Sequence, residues 1–392
     1  MWWGASMRNA AAVLISLLVA GSSALAQDKG APSQKAIDDA VRRGVEYLKT
    51  APSPGGHLKT HCDELILLTL IHADVPEKNE VYKKYLDATL AAPLAHTYKV
   101  AMHAMCLEEV DPSHYQARIA QCGQFLIDNQ ATNGQWSYGS PTEAVAKMPV
   151  VSPRKDVAST SQPKKPGVID FGSDKVKARP SQWVVITQSR TGGEQGDNSN
   201  TQYASLGLRA CYDSKIKIPE AVIHLGRKWW VESQWDPEDG AGDKNAVSSG
   251  GEARPRGWNY TNPARGPDQK PYHAMTAGAT GAMCIYEYML GRDWKKDPTA
   301  RSGAAWLGAK FSVNENYYYM YGLERAGMLY GVESFGGHNW YFEGAKFLLE
   351  HQSGDGSWGK RENKDENTWD TCFAILFLKK ATRAIATGGG RK

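Results

Sequence analysis

The sequence predicts an all-α fold, a closed ring of six helical hairpins in which each outer helix is followed by an inner one. Segments beginning Gly-x-x-aromatic-Leu, or a relic of that pattern, recur at 44–48, 82–86, 123–126, 226–230, 303–307 and 344–348. Each is followed by a second segment that is apolar nearly all round and rich in small and aromatic residues. Alternating runs bounded by hairpin turns, the mark of strands, are nearly absent. Recurrence of one helical pattern in this way is the signature of a repeat architecture.

Taken in chain order, the first element is the apolar run AAAVLISLLVAGSSALA, preceded by Arg8 and followed by Gln27-Asp28-Lys29. Ala24-Leu25-Ala26 is a small-x-small cleavage site, so residues 1–26 read as a secretory signal peptide. The run is short for a retained membrane anchor, and no later stretch spans a bilayer. Residues 27–392 are then one exported domain, periplasmic or extracellular, expected as a monomer or weak oligomer. A net charge of +4 over 392 residues gives no basis for a nucleic-acid partner. Cys62, Cys106, Cys122, Cys211, Cys284 and Cys372 are too scattered for a disulfide framework, although export permits a bridge or two.

The outer segments carry apolar residues at helical spacing with charges between them, as surface helices do. The inner helices are expected to start near His61, His96, Asn198, Tyr272, Glu315 and Asn367. Their small residues, among them Ala204, Gly207, Gly278, Gly281 and Gly322, let helices crowd together without voids. Closing the ring also covers both ends, which an open stack must cap. Two insertions, 137–196 and 236–271, each separate an outer helix from its inner partner. They are therefore expected over the face where the inner helices begin.

Residues 344–358, GAKFLLEHQSGDGSW, add a Gln and a Gly-x-Trp turn to the recurring helix. A shortened copy stands at 123–136 with Gln130 and Trp136. In a third, Gln234 is separated from Gly257-Trp258 by the second insertion, and in the first repeat Pro52 replaces the Gln. This pattern resembles the QW repeat of the squalene cyclase (terpenoid cyclase) and protein prenyltransferase superfamily, whose members are α/α toroids. The resemblance implies an α6/α6 toroid. It implies that Gln130, Gln234 and Gln352 bind backbone groups at helix ends, and that Trp136, Trp258 and Trp358 pack over the junctions between hairpins.

The chemistry of the family is only partly represented. The Asp-x-Asp-Asp acid of the cyclases is absent, and Asp38-Asp39 lies on an outer helix. Asp370-Thr371-Cys372 resembles the zinc-binding Asp-x-Cys of prenyltransferases, with no His downstream. Ring closure would bring His61 beside Asp370 and Cys372, so a zinc site, a Cys62–Cys372 disulfide and ordinary packing all stay open. Thr191-Gly192-Gly193-Glu194-Gln195 resembles the thioester motif of complement-type domains, but Gly192 takes the place of the Cys; a turn leading to an Asp197 or Asn198 cap is the better reading. Tyr317–Tyr321 with Glu324-Arg325 is the least ordinary inner helix. Tyr318 and Tyr321, with Asp197, are candidate ligand contacts, and Glu324 is the candidate catalytic carboxylate. The expectation is a toroid that binds an isoprenoid, peptide or polymer at the mouth of its central cavity. The alternatives are an isoprenoid-acting enzyme, zinc-assisted or not, and a carbohydrate-active α6/α6 barrel, which needs two facing carboxylates.

Overall fold

The computed structural model describes residues 30–51, 63–149, 179–236, 240–241, 253–261, 270–359 and 364–385. By internal contact the chain divides into 1–31, of which only Gly30 and Ala31 are described, and 32–392, to which all that follows belongs. The signal-peptide reading, His61 and Cys62 therefore lie outside the described residues.

The described residues are predominantly helical. The outer set is α1 (Gln34–Thr50), α3 (Glu80–Ala91), α5 (Gln116–Asp128), α8 (Glu220–Ser233), α10 (Pro298–Ala309) and α12 (Trp340–Glu350). The inner set is α2 (Asp63–His72), α4 (Thr97–Val110), α7 (Asn198–Asp213), α9 (His273–Met289), α11 (Tyr317–Tyr330) and α13 (Lys364–Leu378). A single turn, α6 (Glu143–Ala146), completes the helices. Strand pairing among the described residues is confined to three ladders of two residues per strand.

Burial separates the two sets as their sequences require. α1 buries Ile37, Ala40, Val41, Gly44, Val45 and Leu48, one stripe at three- and four-residue spacing, and its first turn is capped by Ser33. α7 buries every residue from Asn198 to Cys211, and α9 every residue from Ala274 to Glu287. The inner helices pack in a cyclic order: α2 on α4, α4 on α7, α7 on α9, α9 on α11, α11 on α13, and α13 back on α2. α5 lies against α4 and α7, α10 against α9 and α11, and α12 against α11 and α13. α1 packs on both α12 and α13, joining the start of the chain to its end.

The repeated glycines are notches, not helix starts. Gly44, Gly226 and Gly303 lie well inside α1, α8 and α10, so these outer helices begin earlier than the motif predicts. An added Cβ would stand 2.8 Å from the Trp358 ring at Gly44, 2.9 Å from the Trp258 ring at Gly303, and 2.6 Å from the Tyr286 hydroxyl at Gly226. The glycine is there because a neighbouring aromatic lies on it.

Three Gln/Trp pairs make one set of bonds. Trp136, Trp258 and Trp358 are fully buried. Their indole N–H groups donate to Leu126 O (2.7 Å), Trp230 O (2.9 Å) and Leu348 O (2.8 Å), carbonyls near the C-termini of α5, α8 and α12. Their backbone N–H groups donate to Thr201, Thr276 and Thr371 Oγ1 on the inner helices that follow, at 3.0, 3.1 and 3.0 Å. Gln130, Gln234 and Gln352 donate through Nε2 to Val222 O, Thr299 O and Ala40 O at 2.9, 2.9 and 2.8 Å, each on another outer helix. The tryptophan, rather than the glutamine, serves the helix end. The glutamine ties one outer helix to the next. In two copies the turn glycine also needs its freedom: Gly134 and Gly356 have φ of +94° and +91°, with Leu225 O and Arg43 O at 2.3 and 2.5 Å from an added Cβ.

The inner helices start close to expectation at His96, Asn198 and Tyr272, while α11 is capped by Asn316 and α13 begins earlier, by Lys364. The described flanks of both insertions reach inner-helix N-termini, where Thr97 N donates to Tyr138 O (2.7 Å) and Asn198 N to Tyr260 O (3.0 Å). Part of the first insertion does not stay on that face. Val184–Val185 pairs with Ile216–Lys217 beyond the end of α7, and Thr187 to Ser189 then follow α5 through Gln124, Ile127 and Asp128. No helix among the described residues is long and apolar enough to cross a membrane.

Candidate functional site

The second residues of α4, α7 and α11, which are Tyr98, Ser199 and Tyr318, converge, so these helices start at one end. Their meeting point heads a column of side chains along the inner helices. The Tyr98 hydroxyl hydrogen-bonds Ser199 Oγ, which lies 3.0 Å from the Tyr318 hydroxyl. Gln202 Nε2 donates to the Tyr318 oxygen (2.6 Å), and Arg325 Nη2 donates to Gln202 Oε1 (3.0 Å). The rings interleave: Tyr98 with Tyr203 at 4.5 Å between centroids, Tyr203 with Tyr318 at 6.2 Å, and Phe373 with Tyr318 and Tyr321 at 5.7 and 5.9 Å. Burial holds the Tyr203, Tyr318 and Tyr321 phenols above their ordinary range, so they are neutral hydrogen-bonding groups. The Arg325 guanidinium is buried with Cζ 4.2 Å from the Tyr321 ring centre and 5.2 Å from that of Tyr203. Its Nη1 has no hydrogen-bond partner among the described residues.

The candidate residues fall into separate places. Tyr318 and Tyr321 belong to the column. Glu324 is fully buried, and both its oxygens accept from one residue: Oε1 from Thr382 N (2.9 Å) and Oε2 from Thr382 Oγ1 (2.7 Å). Burial pushes this carboxyl up to about 7. These bonds fasten the segment after α13.

Asp197 caps α7, accepting from Asn200 N and Asn200 Nδ2, both at 2.8 Å. It also marks a tyrosine-rich mouth. Tyr138, Tyr260 and Tyr272 stand by the N-termini of α4, α7 and α9 and are 53, 43 and 38% exposed. Burial first and then the Asp197 charge push Tyr272 up to about 12 and raise Tyr260 as well, which places both phenols near that carboxylate.

Asp370 and Cys372 are both buried on α13. Burial pushes the Cys372 thiol up to about 12, with a hydrogen bond to Thr69 opposing it. Among the described residues no three His, Cys, Asp or Glu side chains come together as a metal site. His61 and Cys62, the other members of the candidate set, lie outside the described residues.

Two features escaped the sequence reading. Glu64, near the start of α2, is buried 3.6 Å from Lys99, and burial pushes it up to about 7 against that lysine. A lone carboxylate in the apolar run ELILLTLI was the available signal. The second is Thr382-Arg383, which carries no motif at all. No family model matches the chain, and no curated protein matches it.

Proposed function

We propose that the chain is an exported α6/α6 toroid of the squalene cyclase and prenyltransferase type that binds an extended polymer across its inner-helix N-terminal mouth. The cyclic packing of the inner helices and the three identical Gln/Trp bond sets support the toroid. The observation that carries the binding reading is the filled axis. Tyr98, Tyr203, Tyr318, Tyr321, Phe373 and Arg325 occupy the space that a cyclised or transferred isoprenoid would need. What the mouth offers instead is surface, in the three exposed tyrosines around Asp197. Tyrosine rings present broad faces to sugars, peptide side chains or cations without needing a cavity. Of the two buried carboxyls raised to about 7, neither stands ready for glycan hydrolysis: Glu324 is engaged by Thr382 and Glu64 by Lys99.

The test is binding of the mature chain to oligosaccharide and peptide arrays, with farnesyl diphosphate titrated in parallel. Retention on a polymer that is lost in Tyr138→Ala, Tyr260→Ala and Tyr272→Ala, with unchanged circular dichroism, supports the reading. Saturable farnesyl diphosphate binding that ignores those substitutions overturns it.

A further inference from the structure

At the end away from the mouth, the last turns of α2, α4 and α7 surround a small gap. Two carboxylates face it, Glu108 of α4 and Asp213 of α7, with side chains 8 and 7% exposed. Into this acidic end the chain turns its own segment 381–385. The turn is made at Lys380, whose φ of +46° lies in the left-handed region. Arg383 Nη2 donates to Glu108 Oε1 at 2.5 Å and approaches Asp213 Oδ2 at 3.4 Å. Arg209 Nη2 of α7 donates to the Arg383 carbonyl at 2.7 Å, and Glu324 of α11 takes the Thr382 amide and hydroxyl. Asp213 is itself held by the Tyr288 hydroxyl (2.8 Å), which leaves its second oxygen turned to the two arginines.

This is how a peptide is recognised. A guanidinium enters an acidic pocket, while the main-chain N–H and C=O on either side are read by fixed side chains of opposite polarity. All of the reading groups come from inner helices, and none of them belongs to the mouth. The segment uses one arginine and one threonine, with alanines on either side of the pair. Burial opposes the Arg383 charge, yet Glu108, Glu109 and Asp213 outweigh it and hold the guanidinium protonated.

We propose that the inner-helix C-terminal end is a binding site for a Thr-Arg-bearing peptide, occupied in cis by Thr382-Arg383 and open in trans when that segment leaves. The site rests on observations independent of the mouth.

The experiment uses the full mature chain and a fluorescent peptide of residues 381–385, Ala-Thr-Arg-Ala-Ile. The double variant Thr382→Val, Arg383→Gln removes the hydroxyl and guanidinium that hold the segment, leaving it only main-chain contacts to compete with added peptide, without shortening the chain. Anisotropy should show the double variant binding the peptide and the parent chain, already occupied, binding it at least about tenfold more weakly. Replacing the peptide arginine by citrulline should weaken binding about tenfold or more, because the charge-assisted pair is gone. Adding Glu108→Gln and Asp213→Asn should abolish it. A folded double variant that takes up no peptide, or takes the citrulline form equally well, overturns the proposal. If the double variant does not fold, hydrogen exchange on the parent chain decides. A Thr382 amide that exchanges well before the α13 core supports a segment that leaves its site. One that exchanges only with global unfolding overturns it.

Discussion

Gly44 sits at the seam between the first and last repeats, where a closed ring and an open stack differ most. An added Cβ there would stand 2.8 Å from Trp358 Cζ3 and 2.9 Å from Ile375 Cδ1. The second contact is the free end of a flexible side chain and can turn away; the first is the edge of a fully buried indole whose N–H donates to Leu348 O. Overpacking of this kind costs about 1–3 kcal/mol. Alanine returns up to about 1 kcal/mol as the better helix former. The net cost of Gly44→Ala in the parent chain is therefore about 0–2 kcal/mol. Trp358→Ala alone should cost about 3–5 kcal/mol. In that background the methyl enters space the indole has vacated, and Gly44→Ala should become neutral or stabilising by up to about 1 kcal/mol. Urea denaturation of the four chains of the cycle measures the coupling, expected at about 1–3 kcal/mol. If Gly44→Ala has the same effect in both backgrounds to within about 0.5 kcal/mol, Trp358 does not lie on α1 and the seam is not closed as described.

The three indoles make equivalent bonds, so Trp136→Phe, Trp258→Phe and Trp358→Phe should each cost about 1–3 kcal/mol by leaving a buried carbonyl without its donor; one neutral substitution in urea melts would break the equivalence. Glu64 and Glu324 are pushed from 4.5 to about 7, so the folded chain holds more protons than the unfolded one between those values. Their stabilisation is complete below the unfolded value and is lost as pH rises through the folded one, by roughly 3 kcal/mol per group. Thermal melts of Glu324→Gln from pH 4.5 to 7.5 should show a shallower fall than the parent chain, and a steeper fall would contradict the sign. Gln202→Met should cost about 1–3 kcal/mol by stranding Arg325 Nη2, while Arg325→Met should cost less, since it removes a buried cation together with its unpartnered Nη1. Equal costs would mean that Arg325 is not held as described.

How much was legible varies with how local the signal is. Helix identity follows from periodicity within one segment, so both sets of helices could be read, and the Gln/Trp copies could be read even where an insertion displaced Trp258 from Gln234. Helix starts were legible where a capping side chain marks them, as Asp197 does before Asn198, and were missed where the motif glycine marked packing instead. Gly44 looks like a beginning because nothing in its own helix shows that Trp358 lies on it. The site was harder. Glu324 stands out as a carboxylate on an aromatic helix, but its partner Thr382 lies 58 positions away in the chain. No spacing rule connects residues that meet only through closure.

In the proposed ring, a filled axis changes what the fold offers. With rings packed from Tyr98 down to Tyr321, the interior acts as a rod that fixes the two ends relative to each other. Polar side chains between the rings form a relay, in which each hydroxyl or amide satisfies the next from Ser199 to Arg325. The last member of the relay is a cation, and the carboxyl beside it in sequence, Glu324, turns instead to Thr382. The column from the mouth and the segment at the opposite end thus meet at neighbouring residues of one helix. Displacing Thr382 would leave the Glu324 carboxyl without its two bonds, one residue from Arg325 at the foot of the relay that starts at Ser199 and Tyr318.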